Sequence, residues 1–281
     1  MKNVWFLEWK RQKRNFYDTL LASVVILLCL FVVCSVFDKM FPQFNRNYMD
    51  WPDYMKQLLG LSGWSGGFWY NLWQILAVFY PFLHIYMIMN AVAGSISDEE
   101  RLETIIYLRN AGVNRTAVLG VKTLFWITFS LAVFVAQIVT MVMLTNISGI
   151  GVVCLLVVRY YAVLFLVSVF YIGIACNPAV GGKGLQRCKD VHLTVLVIPW
   201  LIAKIPDVIR MFASLLEITG RSDNVVVRFE VWEQKTSFLR YVSPVSWCVP
   251  SGWEIPTGVV IGYLLIAVIL FLAAFKTYRD K

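Results

Sequence analysis

Long apolar runs separated by short polar segments dominate this chain. Residues 19–37 and 257–275 contain no charged side chain, and residues 124–144 make a third uninterrupted run. Each run is long enough to cross about 30 Å of hydrocarbon as a helix. The pattern therefore predicts an all-α polytopic membrane protein.

Three further apolar runs are interrupted by polar or charged residues. They cover residues 69–93, residues 150–176 and residues 191–212, the last of which contains two prolines. Counting these runs as helices predicts six transmembrane helices. Whether residues 191–212 form one full span is left open by the sequence.

Lysine and arginine are distributed unequally between the segments that separate the runs. With the N-terminus inside, the inner segments hold fifteen of these residues and the outer segments seven. Cytoplasmic loops carry the excess of basic residues in most membrane proteins. We therefore expect a multi-pass protein of the cell membrane with both termini in the cytoplasm.

Composition narrows the function classes further. Hydrophobic residues make up 59% of the chain, and the net charge of +8 follows from the inner basic segments, so it does not indicate nucleic-acid binding. Six scattered cysteines suggest neither a disulfide framework nor a zinc site. We find no catalytic constellation, no metal-ligand spacing and no phosphate-binding loop, since residues 177–184 lack the first glycine and the final Ser or Thr of that motif.

A charged island at residues 95–122 lies between two apolar runs. Ser97 and Glu100 have the spacing of a capping box, and Asn110 with Gly112 is a stop signal, which together predict a helix over residues 97–110. Leu102, Ile105 and Ile106 form an apolar stripe at helical spacing, with acidic residues in the first turn and Arg109 in the last. The stripe could contact a partner protein, or the segment could be a solvated loop helix resting on the membrane.

The island resembles the cytoplasmic coupling segment of the permeases of type 2 ABC exporters. Five residues match that family's pattern, namely Glu99, Thr104, Leu108, Arg115 and Lys122. Two positions differ, because Glu103 and Gly112 stand where the family usually has Gly and Pro. A second stretch, residues 239–247, is similar to the Tyr-x-Ser-Pro-x-x-Tyr/Trp segment before the last span of these permeases, and the chain likewise ends in a short basic tail.

This resemblance covers the whole chain and implies a single transmembrane domain over residues 1–281 that acts as an exporter permease. It implies partnership with separate ABC ATPase subunits, which would bind ATP and Mg²⁺, and with a second permease copy or a paralogous chain. This subunit would then hold no cofactor and hydrolyse no ATP itself. An amphipathic peptide, a drug or a lipid-like molecule is the substrate class that the family suggests. The implied ATPase-coupling residues are Glu99, Glu100, Leu102, Glu103, Ile105, Ile106, Arg109 and Arg115.

Ionisable residues inside the predicted spans are candidates for a transport pathway, because burial in lipid costs about 3 kcal/mol or more for each charge. They are Arg159, Lys204, Asp207 and Arg210. The last three recur at three-residue intervals and share one helix face, so Asp207 can pair with either neighbour. They could instead extend to the outer headgroup layer.

The segments outside the spans suggest three smaller elements. Residues 1–17 mix aromatic and basic residues, which is typical of a helix in the inner headgroup layer and in contact with membrane lipids, although a disordered basic tail would have the same composition. Residues 38–67 and 217–256 form outer elements, and residues 225–232 fit either a strand or an interfacial helix.

Two other function classes fit a polytopic chain. A membrane immunity or sensor protein would bind its ligand without transport, and would not assemble with an ATPase. An integral membrane enzyme would need a catalytic constellation, which the sequence lacks.

Overall fold

The computed structural model describes residues 2–40, 68–101, 112, 114–148, 154–182, 184–218, 223–248 and 256–280. The described part of the chain is helical and contains no β-strand. Its helices are α1 (Lys2–Met40), α2 (Phe68–Arg101), α3 (Arg115–Ser148), α4 (Cys154–Val180), α5 (Leu185–Ala203), α6 (Ile205–Ile218), α7 (Asp223–Thr236) and α8 (Thr257–Asp280). Two 3₁₀ helices, Ser237–Tyr241 and Pro244–Trp247, lie between α7 and α8.

Three helices are long and apolar enough to cross a membrane. The qualifying stretches are Arg115–Leu144 of α3, Val157–Val180 of α4 and Thr257–Asp280 of α8. They contain most or all of the predicted spans at residues 124–144, 150–176 and 257–275. Most of α8 is exposed, with leucine, isoleucine and valine side chains on its surface, as expected where lipid is the solvent.

The other three predicted spans are also helical in the structure, but they are not among these three stretches. Residues 19–37 and 69–93 lie within α1 and α2, and the described part of α1 contains a shorter apolar stretch, Phe16–Cys29. Residues 191–212 are divided between α5 and α6 at Lys204. Pro206 explains the break, because it has no N–H to donate to the carbonyl one turn earlier.

The chain forms two compact units. The first comprises Met1–Leu27, Leu83–Val195 and Pro256–Lys281, and the second comprises Leu28–Phe82 and Leu196–Ile255.

Helix directions within the first unit follow from side-chain contacts to α3. The Phe16 and Phe129 rings lie 5.1 Å apart and Val4 packs on Val121, so α1 runs parallel to α3. Ser95 contacts the start of α3, whereas the His84 ring lies 4.5 Å from the Phe134 ring further along it, so α2 is antiparallel to α3.

Helix α4 is also antiparallel to α3, and α8 runs parallel to α4. Thr123 lies 3.8 Å from Cys176, and Phe134 contacts Tyr161. Between α4 and α8, the Phe170 ring lies 5.1 Å from the Tyr263 ring, and seven residues later in both helices Asn177 donates its side-chain N–H to the Leu270 carbonyl at 3.1 Å. The start of α1, the start of α3 and the ends of α2 and α4 therefore share one end of this unit.

The helix predicted to begin at Ser97 does not begin there. Residues 97–101 are the last residues of α2, and the Ser95 hydroxyl donates to the Val92 carbonyl at 2.9 Å inside that helix. The buried side chains of Ile85, Ile88, Met89, Val92 and Ile96 recur at helical spacing and carry α2 through the serines. An uninterrupted helix leaves Ser97 without the extended backbone that an N-cap requires, so the capping-box interpretation of Ser97 and Glu100 is wrong.

The next helix, α3, begins at a cap that was not predicted from the sequence. The Asn114 side-chain oxygen accepts the Thr116 backbone N–H at 3.0 Å and the Thr116 hydroxyl at 2.9 Å, which starts α3. Gly112 has a φ of +72°, a conformation that favours glycine and fits a turn before this cap. The rest of the predicted 97–110 helix, residues 102–110, lies outside the described residues.

The structure describes the predicted N-terminal helix from Lys2 onward and the predicted outer elements only in part. Residues 2–17 are helical, but they continue directly into the apolar run as part of α1, because no glycine or proline separates them. Of the outer elements, residues 41–67 lie outside the described residues. Residues 223–236 are helical, so the strand alternative for residues 225–232 is wrong within this outer element.

Candidate functional site

A buried polar junction joins three helices at the shared end of the first unit. Lys122 of α3 donates to the Glu8 carboxylate of α1 at 2.9 Å and to the Ser95 carbonyl of α2 at 2.7 Å. The side chains of Lys122 and Glu8 are only 2% and 3% exposed, so their charges are shielded from solvent. The junction therefore holds α1, α2 and α3 together through charge-assisted hydrogen bonds.

Aromatic side chains and a serine complete this junction. Trp126, one turn after Lys122, donates its indole N–H to the Ser95 hydroxyl at 3.1 Å. The Phe125 ring lies 5.5 Å from Trp5 and 6.4 Å from Trp9 on α1. The packing limits access of water to the ion pair, and low local dielectric strengthens a paired charge and penalises an unpaired one.

Two members of this junction, Ser95 and Lys122, are the first and last residues of the charged island. Ser95 lies two turns before the end of α2, and Lys122 lies two turns after the start of α3. Displacement of the segment between Arg101 and Arg115 would act on both helices, which Lys122 couples to α1. The junction therefore links both helices that flank this segment to α1.

Only three of the eight predicted coupling residues lie in the part of the chain that the structure describes. The backbones of Glu99 and Glu100 lie in the last turn of α2, and Arg115 is the first residue of α3, where it is partly buried. Outside the described residues lie Leu102, Glu103, Ile105, Ile106 and Arg109. Lys122 had been identified as a match to the family pattern, whereas Glu8 and the Ser95 carbonyl had not been identified. Glu8 is the only acidic residue among the first seventeen, which is a weak signal for a special role.

A second polar cluster lies in the other unit. Lys204 contacts Asp207 at 3.3 Å, as the spacing predicted. Arg240, in the first 3₁₀ helix, contacts Asp207 at 3.2 Å and Glu233 at 2.9 Å, and Arg210 lies 3.9 Å from Glu233. The cluster therefore joins the start of α6 to the end of α7 and the residues after it, and α6 and α7 run antiparallel.

This cluster includes three of the four predicted pathway residues. Asp207 is mostly buried and Arg210 is about half exposed, at 14% and 49% of the side chain. Arg159 is exposed on α4, in the first unit. Glu233 and Arg240 were missed, because residues far apart in sequence can be paired only once the fold is known.

The stretch at residues 239–247 is organised by Ser246. Its hydroxyl lies within hydrogen-bond distance of the Arg240 carbonyl at 2.8 Å and the Ser243 carbonyl at 2.6 Å. Ser243, Pro244, Val245 and Cys248 are buried. This packing holds the segment that carries Arg240 in a fixed conformation before α8.

The Cys248 thiol is expected to resist alkylation even though the topology predicted from the basic residues assigns it to the outer side. Burial raises the pKa of this thiol, and the thiolate is the reactive form. An impermeant maleimide at pH 8 should modify Cys248 at least about tenfold more slowly than a cysteine placed at the exposed position of Lys235. Intact cells are labelled and the extent of modification is measured by mass spectrometry. Equal rates for Cys248 and the cysteine at position 235 would contradict the buried position.

Among the described residues, no group of three or more His, Cys, Asp or Glu side chains could hold a metal ion. Comparisons of this chain with protein-family models, curated proteins and solved structures found no match.

Proposed function

We propose that this chain is the multi-pass permease subunit of an ATP-driven exporter, paired with a separate ATPase subunit. The single observation that carries the proposal is the buried Lys122 junction with Glu8 and Ser95. It joins both helices that flank the segment resembling an ATPase-coupling element. Movement of that segment would therefore displace α1, α2 and α3 together rather than bend one loop.

In this mechanism the ATPase pair closes on ATP and pushes the segment between α2 and α3. The apolar side chains of Leu102, Ile105 and Ile106 form the dry centre of the contact, and the charged residues around them form its rim. Burial of such side chains contributes about 1.5–3 kcal/mol each to the contact. The Lys122 junction then passes the displacement to the helices in the membrane.

The substrate leaves through a cleft between this chain and a second permease copy or a paralogous chain. Its class is an amphipathic peptide, a drug or a lipid-like molecule. The cluster around Asp207 and Arg240 is a candidate for the outer part of the pathway, since charges are retained within an apolar chain where water or a partner compensates them.

The topology of this proposal can be tested with a cysteine at position 110. Asn110→Cys should react with an impermeant reagent only after the membrane is opened, because the basic residues assign this segment to the cytoplasm. Lys235→Cys is the matched control and should react in intact cells. Labelling of Asn110→Cys from outside would contradict the orientation.

The division of labour has its own test. The purified chain should show no saturable labelling by an ATP photoaffinity analogue, because its sequence lacks a phosphate-binding loop. Labelling should appear on the partner subunit when the two are reconstituted in proteoliposomes. An immunity or sensor protein would yield no such partner, and nucleotide bound to the isolated chain would contradict the proposal.

A further inference from the structure

Helix α1 has two chemically different faces over its first four turns. Val4 and Glu8 are buried against α3, and Trp5, Trp9 and Phe16 are partly buried on the same side. The exposed side chains of this segment include four basic ones, Lys10, Arg11, Lys13 and Arg14. The basic face is therefore accessible to another partner.

Contacts with α3 indicate where this basic face lies relative to the membrane. Glu8 is level with Lys122, and the Phe16 ring packs on Phe129. Lys10 to Arg14 therefore lie beside the stretch of α3 that immediately follows Lys122. From that point to its end α3 carries no charge, so this is the boundary between the headgroups and the hydrocarbon.

The order of residues along α1 agrees with this depth, because its four exposed basic residues precede its apolar stretch, Phe16–Cys29. The basic face occupies the part next to the apolar stretch that begins at Phe16, where long cationic side chains can reach lipid phosphates.

Two acidic residues of α1 lie close to this face. Asp18 pairs with Arg14 at 3.8 Å, but both side chains are exposed, at 69% and 90%. Glu8 is turned inward to Lys122 and does not neutralise the surface. Phe6, Leu7 and Tyr17 are exposed apolar side chains beside the basic residues, and Lys10 lies 4.9 Å above the Phe6 ring. Basic and aromatic residues together favour an anionic lipid surface.

We infer that the exposed basic face of α1, comprising Lys10, Arg11, Lys13 and Arg14, binds the headgroups of anionic phospholipids. Phosphate oxygens accept hydrogen bonds from the lysine and arginine side chains, and the neighbouring aromatic residues contact the acyl boundary. This lipid site is separate from the ATPase contact, and its existence does not depend on transport.

The test is a titration of the delipidated full-length protein with phosphatidylglycerol or phosphatidylcholine, followed by native mass spectrometry. The unmodified chain should bind phosphatidylglycerol more tightly than phosphatidylcholine. Lys10→Gln with Arg14→Gln should lower the phosphatidylglycerol affinity about fivefold for each charge removed, and about 25-fold together. Lys10→Arg with Arg14→Lys should retain the affinity, because the charges are conserved.

The matched control is Lys276→Gln with Arg279→Gln at the end of α8. This pair also removes one lysine and one arginine from exposed positions, and Arg279 also has an aspartate beside it, at 3.3 Å. The control should keep the preference for phosphatidylglycerol. Unchanged binding by the α1 variant, or equal losses in both variants, would overturn the site.

The same variants show whether this face binds a protein instead of lipid. If the α1 variant lost ATPase co-purification while keeping its lipid preference, the face would bind protein and the lipid inference would be wrong. All lipid titrations use the chain without an ATPase, so their failure leaves the proposed exporter function untouched. Equal thermal transitions of the variants and the unmodified chain check that these surface changes do not unfold the protein.

Discussion

Replacement of Lys122 with methionine is expected to destabilise the protein by about 3–5 kcal/mol. The change leaves Glu8 as a buried carboxylate without its cation, and removal of one member of a buried pair costs that much. In the described part of the chain, the second Glu8 carboxylate oxygen already lacks a hydrogen-bond partner. Unfolding in mixed micelles would measure the loss.

Two controls separate the buried charge from loss of packing. Glu8→Leu combined with Lys122→Met removes both charges and should recover most of the lost stability, because apolar side chains of similar volume can replace a buried pair. Arg14→Gln breaks the exposed pair with Asp18 and should change stability by less than about 1 kcal/mol. Equal effects of Lys122→Met and Arg14→Gln would show that the junction is solvated.

Replacement of both Ile105 and Ile106 with aspartate is expected to abolish assembly with the ATPase. The double change removes apolar burial of about 1.5–3 kcal/mol per side chain and places charge in a dry contact. Affinity should fall by at least about a hundredfold, and transport should be lost with it. Expression and membrane insertion should stay near normal, because the predicted topology places the segment outside the bilayer.

The matched control adds the same charge to the same segment without removing apolar surface. Asn110→Asp with Asn114→Asp introduces two carboxylates, and aspartate can replace Asn114 as the N-cap of α3. This variant should assemble and export. Binding assays on both variants distinguish loss of the apolar contact from a general effect of negative charge.

Hydropathy correctly predicted the helices that are long and apolar over their whole length. The stretches within α3, α4 and α8 were identified because an apolar run of sufficient length has few alternatives in a membrane, even where one charge interrupts it as in α4. The contact between Lys204 and Asp207 was also predicted, since residues three apart meet on one helix face.

Helix boundaries were predicted less well, because tertiary packing outweighs local signals. Ser97 and Glu100 had a capping spacing, yet α2, whose buried residues run as far as Ile96, continues through both positions to Arg101. Residues 225–227 are three valines, which favour a strand. In the structure Val226, Phe229 and Glu233 recur on the less exposed side of α7, and the segment is helical.

The candidate site depended on contacts that one sequence cannot reveal. Glu8 and Lys122 are separated by 114 residues, and no local spacing connects them. Arg240 likewise reaches Asp207 across 33 residues. A resemblance could identify Lys122, but only the packing of α1 on α3 identifies its partner.

Co-purification from native membranes tests the central claim most directly. The full-length chain should retain a partner whose sequence contains a phosphate-binding loop, and ATP turnover by this partner should rise when both are reconstituted in proteoliposomes. The Ile105→Asp/Ile106→Asp variant should lose both the partner and the increase. A chain that purifies with no such ATPase, or a double variant that keeps full ATP turnover, would contradict the account.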